Sequence, residues 1–130
     1  MKPFPLVSVV ILNYNGKYYL ERNLPFLLLL TYPNLRLCVI DNNSTDGSVQ
    51  WLQKYYPQVD IIYNEKNFGF AKGYNIGLQQ IKSEYFLLLN TDVEVTPELI
   101  EPMVATLENV ASSAVCQPKI LSMLKKESFE

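Results

Sequence analysis

The feature that most constrains this 130-residue chain is the alternation of short apolar runs with helical patterns. The first run, residues 7–12, is almost continuously apolar and β-branched, which is typical of a strand buried on both faces of a sheet. After the Asn15-Gly16 turn signal, leucines recur at helical spacing. Strands that alternate with helices in this way build βαβ units. We therefore expect an α/β fold, a Rossmann-like three-layer sandwich with a mainly parallel sheet flanked by helices.

The same reasoning predicts where the later elements begin and end. Further strands are predicted at residues 35–40, 59–63 and 85–89 and from residue 114 onward, and helices on the apolar positions within 20–28 and 49–56 and at residues 69–81 and 97–107. Pro25 predicts a kink or a late start in the first helix. Asp46 or Ser44 is expected to cap the second helix and Thr96 the fourth. By length the chain is one domain, residues 1–121, followed by a frayed or truncated tail at 122–130.

Composition excludes several classes of protein. A net charge of −2 leaves no basic footprint for nucleic acid, so no nucleic-acid partner is expected. The chain has no histidine, which removes Ser-His-Asp and Cys-His catalysis and histidine-based zinc sites. Cys38 and Cys116 are expected to be free thiols, typical of a reducing compartment. Without a secretory signal or a membrane-length apolar stretch, the chain is expected to be soluble and cytoplasmic, with a peripheral place at the inner face of the membrane left open.

Polar side chains follow three of the predicted strands: residues 13–15, Asp41 and residues 90–92. In open α/β sheets, ligands bind at the carboxyl ends of the strands. Asp41 is therefore expected to accept hydrogen bonds from a base or ribose, and its alternative role is to cap the turn that follows. Because Mg²⁺ is commonly held by one or two carboxylates plus substrate phosphates, Asp92 and the amide oxygen of Asn90 are a candidate metal site, with a solvated turn as the alternative. Glu94 lies on the same side as Asp92 if the strand geometry continues.

Residues 67–77 carry three glycines spaced four apart, at positions 69, 73 and 77. Glycine inside a helix costs about 1 kcal/mol relative to alanine, so we expect either close packing on the sheet or a ligand close to the backbone. A helix N-terminus at Gly69 favours a negative ligand. The first strand is followed by neither a Gly-x-Gly-x-x-Gly nor a P-loop motif, which argues against dinucleotide cofactors and P-loop nucleotide hydrolysis.

Together, residues 7–15, 41–48, 67–77 and 88–92 resemble the family 2 inverting glycosyltransferases, which have the GT-A fold, and the resemblance covers residues 6 to about 121. It implies a site for a nucleotide-diphosphate sugar, UDP- or dTDP-linked, with a divalent metal, Mg²⁺ or Mn²⁺, and a glycan or lipid-linked acceptor. The implied nucleotide-binding residues are Asn13, Asn15, Asp41, Asn67, Gly73, Asn75 and Thr91, and the implied metal ligands are Asp92 and Asn90.

Two departures from the family pattern limit what the resemblance implies. The first departure is Asn90, which replaces the first acid of the family's Asp-x-Asp metal motif; the second is the absence of a general base. Within the family, the segment at residues 67–71 is similar to that of rhamnosyltransferase-like members. The general base is expected beyond residue 130, so this chain is expected to be the donor-binding half and inactive alone. A nucleotidyltransferase and a non-catalytic nucleotide-sugar-binding module are the alternatives, and self-association is left open.

Overall fold

In the computed structural model, which describes residues 4–124, strands and helices alternate as the sequence predicts. The strands are β1 (Val7–Asn13), β2 (Leu35–Asp41), β3 (Asp60–Tyr63) and β4 (Tyr85–Leu89), and the helices are α1 (Lys17–Leu27), α2 (Ser48–Tyr55), α3 (Phe70–Leu78) and α4 (Ile100–Asn109). The strands are parallel and lie in the order β3-β2-β1-β4. The predicted α/β fold class with a parallel sheet is confirmed.

The order of the strands determines where a ligand site can form. From β1 the chain moves outward through β2 to β3, and then returns to the other side of β1 to add β4. This reversal makes the boundary between β1 and β4 the topological switch point of the sheet. In open α/β sheets, ligands bind in the crevice at that point, outside the carboxyl ends of the strands.

The helices lie on both faces of the sheet. On one face α1, α2 and α4 pack over a core that includes Val9, Val39 and Leu52. On the other face α3 covers a smaller cluster around Val10 and Ile40. Each such fully buried aliphatic side chain contributes about 1.5–3 kcal/mol relative to an exposed one. The three-layer arrangement therefore follows from strands that are apolar on both faces.

Close packing explains two of the three glycines in residues 67–77. A Cβ atom at Gly77 would lie 2.3 Å from Cδ1 of Ile40, and one at Gly73 would lie 2.8 Å from Nδ2 of Asn42. Neither position has room for a side chain. Gly69 instead precedes the helix with a φ of 79°, in a region that side chains disfavour. Of the two expected explanations, packing on the sheet accounts for Gly73 and Gly77.

Several predicted boundaries were wrong. Helix α1 begins at Lys17 and runs through Pro25, so it has no late start; Leu24 and Leu27 are both buried and hold the turn around the proline. The N-cap of α2 is Gly47 rather than Asp46 or Ser44, because Gly47 takes the left-handed conformation that turns the chain into the helix. Helix α4 begins at Ile100, after a separate turn that follows Thr96.

The fifth strand, expected from residue 114, is also wrong. Residues 114–116 are irregular, and Val115 is 84% exposed, so no burial of apolar surface favours an extended strand there. Of the predicted tail, residues 125–130 lie outside the described residues. No helix within residues 4–124 has the length and apolar character that crossing a bilayer requires.

Candidate functional site

Asn13 connects the ends of β1 and β2 to the loop that follows β2. Its side chain is completely buried, and Nδ2 lies 2.9 Å from Oδ1 of Asp41, 2.8 Å from Oγ of Ser48 and 3.1 Å from Oγ of Ser44. Its Oδ1 accepts a hydrogen bond from the N–H of Gly16 at 3.1 Å. A buried amide is stable only when its donors and acceptor are paired, as they are here. Asn13 therefore holds the loops on both sides of the strand ends.

Asp41 is 2% exposed, and both of its carboxylate oxygens are used within the protein. Oδ1 accepts from Asn13, and Oδ2 accepts from the backbone N–H of Ser44 at 2.9 Å. The second contact is the turn-capping role that the sequence left open. An ionised carboxylate has about four lone-pair sites, so two remain for a ligand. Its predicted contact with a base stays a prediction.

Asp46 ties the loop after β2 to the starts of two helices. Oδ1 accepts from the N–H of Ser48 at 3.0 Å, and Oδ2 accepts from the N–H of Lys17 at 2.9 Å. Burial raises the pKa of Asp46, but the hydrogen bonds from Ser48 and Lys17 lower it by more, and the net shift is downward. The carboxylate is therefore ionised at neutral pH beside the positive ends of α1 and α2.

Asn15 is exposed at the same edge and has a positive φ of 52°, a conformation that asparagine tolerates better than most residues. Its Oδ1 accepts from the N–H of Thr45 at 2.7 Å, and its own N–H donates to Oγ of Ser44 at 2.9 Å. The predicted residues Asn13, Asn15 and Asp41 are thus brought together around one loop.

A second chain of asparagines joins β2, β3 and the start of α3. Nδ2 of Asn64 donates to Oδ1 of Asn42 at 2.8 Å, and Nδ2 of Asn42 donates to the carbonyl of Gly69 at 3.0 Å. Asn67 is exposed, and its Oδ1 accepts from the N–H of Gly69 at 2.9 Å. Asn42 and Asn64 were missed as site residues. Because Asn64 directly follows β3, the rule that singled out Asp41 at the end of β2 would have found it.

The turn after β4 is held by its backbone and leaves its polar side chains open. The carbonyl of Thr91 accepts from Nδ2 of Asn23 at 2.9 Å, and the side chain of Thr91 lies against Gly16. Asn90 and Asp92 are exposed, and within residues 4–124 their side chains have no hydrogen-bond or ion-pair partner. Their oxygens are therefore available to a cation.

The fit of a divalent metal depends on these two side chains. The described part of the chain contains no group of three or more His, Cys, Asp or Glu side chains placed to hold a metal. One carboxylate and one amide oxygen nevertheless suit Mg²⁺, which keeps several waters and takes its remaining ligands from substrate phosphates. Asp92 and Asn90 fit a metal that arrives with a diphosphate.

The two remaining predicted residues lie apart from these contacts. Gly73 is buried beneath the side chain of Asn42, and Asn75 is exposed on α3 with no partner among the described residues. A shallow depression lined by Leu6, Asn34 and residues 82–84 lies at the opposite edge of the sheet, by the amino ends of the strands. It is therefore not part of the switch-point site.

Comparison with known proteins gives one family. The sequence model described as "Glycosyl transferase family 2" matches residues 8–125. An uncharacterized glycosyltransferase of Haemophilus influenzae is 35% identical over 111 residues, which are 83% of this chain and 34% of that protein. The chain thus spans about a third of the length of that relative.

Solved structures share the fold at low sequence identity. S. aureus TarS 1–349 in complex with UDP-GlcNAc has a TM-score of 0.71 and 22% identity, over 92% of this chain and 41% of that one. The mannosyltransferase PcManGT of Pyrobaculum calidifontis, in complex with GDP-Man and Mn²⁺, has a TM-score of 0.64 and 24% identity, over 72% of this chain and 29% of that one.

Proposed function

This chain belongs to glycosyl transferase family 2, and we propose that it is the donor-binding part of an enzyme that transfers a sugar, with inversion, from a nucleotide-diphosphate sugar to a glycan or lipid-linked acceptor. Family membership decides against the nucleotidyltransferase alternative. The alternative of a non-catalytic nucleotide-sugar-binding module is an outcome of the experiments below.

The observation that carries this proposal is the division of the switch point into two chemically different sides. On one side, Asn13 and Asp41 form a rigid, hydrogen-bonded floor at the ends of β1 and β2. On the other, Asn90 and Asp92 present oxygens that have no partner among the described residues. A nucleotide-diphosphate sugar has the same division, because its nucleoside makes directional hydrogen bonds and its diphosphate carries charge that a cation can neutralise.

The residues take the roles that the sequence resemblance implies. Asn13, Asn15 and Asp41 are assigned to the nucleoside; Asn67, Gly73, Asn75 and Thr91 to the nucleotide and sugar-phosphate; Asn90 and Asp92 to the metal. Asp41 would meet the base through its two unused lone pairs, with Asn13 fixing the direction of the carboxylate. Asp92 and Asn90 would hold Mg²⁺ or Mn²⁺, which when bound offsets charge on the departing diphosphate.

Two finer parts of the proposal rest on the sequence resemblance. The similarity of residues 67–71 to rhamnosyltransferase-like members supports a UDP- or dTDP-linked donor. Inverting transfer also needs a general base to deprotonate the acceptor hydroxyl. We assign that base to a carboxylate outside the donor site, because Asp41 and Asp46 accept hydrogen bonds within the protein and Asp92 is assigned to the metal.

Binding of UDP with and without Mn²⁺ tests the proposal. We define the Mn²⁺ enhancement as the ratio of the Kd for UDP without metal to the Kd with Mn²⁺, measured by calorimetry. Asp92→Asn is expected to lower this enhancement at least tenfold while metal-free binding changes less than twofold. Glu65→Gln is the matched control, because Glu65 is also exposed and lies beyond the end of β3, a strand that is not next to β4. An unchanged enhancement in Asp92→Asn would refute the metal role.

A second measurement separates an enzyme from a binding module. The chain is incubated with UDP- or dTDP-linked sugars and Mn²⁺, and released nucleoside diphosphate is measured. Tight donor binding without release is expected if the general base lies outside this chain. Release that Asp92→Asn abolishes would show that the chain is catalytic by itself and would contradict the assignment of the base elsewhere.

A further inference from the structure

The two neighbours of β1 separate from it at different points. Pairing between β1 and β2 continues to Asn13↔Asp41, the last residues of both strands. Pairing between β1 and β4 ends at Ile11↔Leu89. A gap therefore opens between β1 and β4 at the carboxyl edge, and this gap is the switch point itself.

The hydroxyl of Tyr74 lies against the last rung of the β1–β4 ladder. Its Oη accepts a hydrogen bond from the N–H of Leu12 at 3.3 Å and donates to the carbonyl of Leu89 at 2.9 Å, with the carbonyl of Val10 as a second acceptor at 3.4 Å. A phenolic hydroxyl can bridge the two strands in this way, because it is both a donor and an acceptor. The hydroxyl therefore adds a side-chain link where the pairing of β1 with β4 ends at Ile11↔Leu89.

The packing of helix α3 brings this hydroxyl against the point where the two strands stop pairing. Tyr74 is 4% exposed, and the glycine before it allows a close approach, since a Cβ atom at Gly73 would lie 3.1 Å from Cδ1 of Leu12. Burial raises the pKa of Tyr74 above its ordinary value. The hydroxyl therefore keeps the proton that it donates to Leu89.

The carbonyl that Tyr74 binds directly precedes the predicted metal ligands. Leu89, whose carbonyl accepts from Tyr74, is followed by Asn90. Two residues after Leu89, the carbonyl of Thr91 accepts a hydrogen bond from Nδ2 of Asn23. These two anchors lie on either side of Asn90, whose own side chain has no partner among the described residues. The place of the turn relative to β1 thus depends on Tyr74 at one end and on Asn23 at the other.

We propose that Tyr74 is a positioning residue whose hydroxyl, by bridging the ends of β1 and β4, sets the spacing between the nucleoside side and the metal side of the donor site. The inference rests on the proposed function. A nucleotide diphosphate has a fixed reach, so it can engage both sides at once only when that spacing matches its length. Loss of the hydroxyl should weaken the coupling between metal and nucleotide more than it weakens either contact alone.

The test uses Tyr74→Phe and measures the Mn²⁺ enhancement of UDP binding. Tyr85→Phe is the matched control, because its hydroxyl donates to Glu108 from the start of the same strand, far from the site. In Tyr74→Phe we expect the enhancement to fall at least fivefold, with metal-free UDP affinity changed less than twofold. In Tyr85→Phe both quantities are expected to stay within twofold of the parent chain.

Three results would overturn the inference. An unchanged enhancement in Tyr74→Phe shows that the hydroxyl does not set the spacing, and an equal loss of metal-free and metal-dependent binding shows a merely structural role. A parent chain that binds no UDP with Mn²⁺ refutes the proposed function and the inference together. If Tyr74→Phe does not fold, as judged by circular dichroism, Asn23→Ala releases the other anchor and is expected to give the same selective loss.

Discussion

Replacing Asn13 by aspartate removes the amide donor at the base of the site and places two carboxylates in contact, while the hydroxyls of Ser44 and Ser48 can turn to donate to the new oxygen. The amide nitrogen lies 2.9 Å from Oδ1 of Asp41, and both side chains are at most 2% exposed. The change preserves shape and volume, so packing is not disturbed. The expected loss of stability is therefore electrostatic.

The size of that loss follows from comparing two costs. Two unit charges at this distance repel by about 6 kcal/mol at an effective dielectric constant of about 20. Taking up a proton instead costs about 1.4 kcal/mol for each pH unit above an ordinary aspartate pKa of about 3.9, or about 4 kcal/mol at pH 7. Protonation is the cheaper of the two, so Asn13→Asp should lose about 4 kcal/mol at pH 7.

The dependence on pH gives the sharper test. In the folded variant the new carboxyl pair holds one proton with a raised pKa. The destabilisation therefore shrinks as the pH falls toward the pKa of an aspartate in the unfolded chain, and it grows as the pH rises. The loss should be only about 1.5 kcal/mol at pH 5. Urea denaturation at pH 5 and pH 7 measures both values.

Two controls isolate the effect. Asn109→Asp makes the same change at an exposed position and should stay within about 0.5 kcal/mol at either pH. The double variant Asn13→Asp with Asp41→Asn returns the pair to one carboxylate and should recover most of the loss. Equal destabilisation at both pH values, or less than about 1 kcal/mol at pH 7, would refute the reasoning.

Two further predictions concern the packing of α3 and the thiol of β2. Gly77→Ala should destabilise the chain by about 1–3 kcal/mol in urea denaturation, because the added Cβ would lie 2.3 Å from the buried Ile40 side chain; unchanged stability would contradict the packing argument. Burial raises the pKa of Cys38 to about 11. Its thiol should therefore resist alkylation at pH 8 in the native chain and react once urea unfolds the chain. Rapid labelling of Cys38 in the native chain, located by mass spectrometry, would contradict its burial.

The positions of the strands and of the polar residues that end them could be predicted from the sequence. Residues 7–12 and 35–40 are apolar on consecutive positions, which a strand covered on both faces requires. Asn13 and Asp41 follow those runs directly, and the structure does place both at the carboxyl edge of the sheet. Patterns of this kind are local, so neighbouring residues are enough to reveal them.

The role of Tyr74 could not be predicted in the same way. Its spacing with Phe70 and Leu78 is that of an ordinary core stripe, and its ring does pack in the core beneath α3. Its hydroxyl, however, reaches the backbone of Leu12, which is 62 residues away in the sequence. No local pattern encodes that contact, because it depends on the return of β4 to the far side of β1.

By itself, the sequence determined the order of the elements, the parallel sheet and the edge at which the polar residues gather, because periodicity and turn residues act over short distances. Only the tertiary structure decided which of the acids are available. Asp41 and Asp92 both follow an apolar strand, yet Asp41 is 2% exposed with both oxygens hydrogen-bonded, whereas Asp92 is exposed and has no partner within residues 4–124. Burial depends on contacts that the tertiary structure brings together, here between Asp41 and Asn13, which lie 28 residues apart in the sequence.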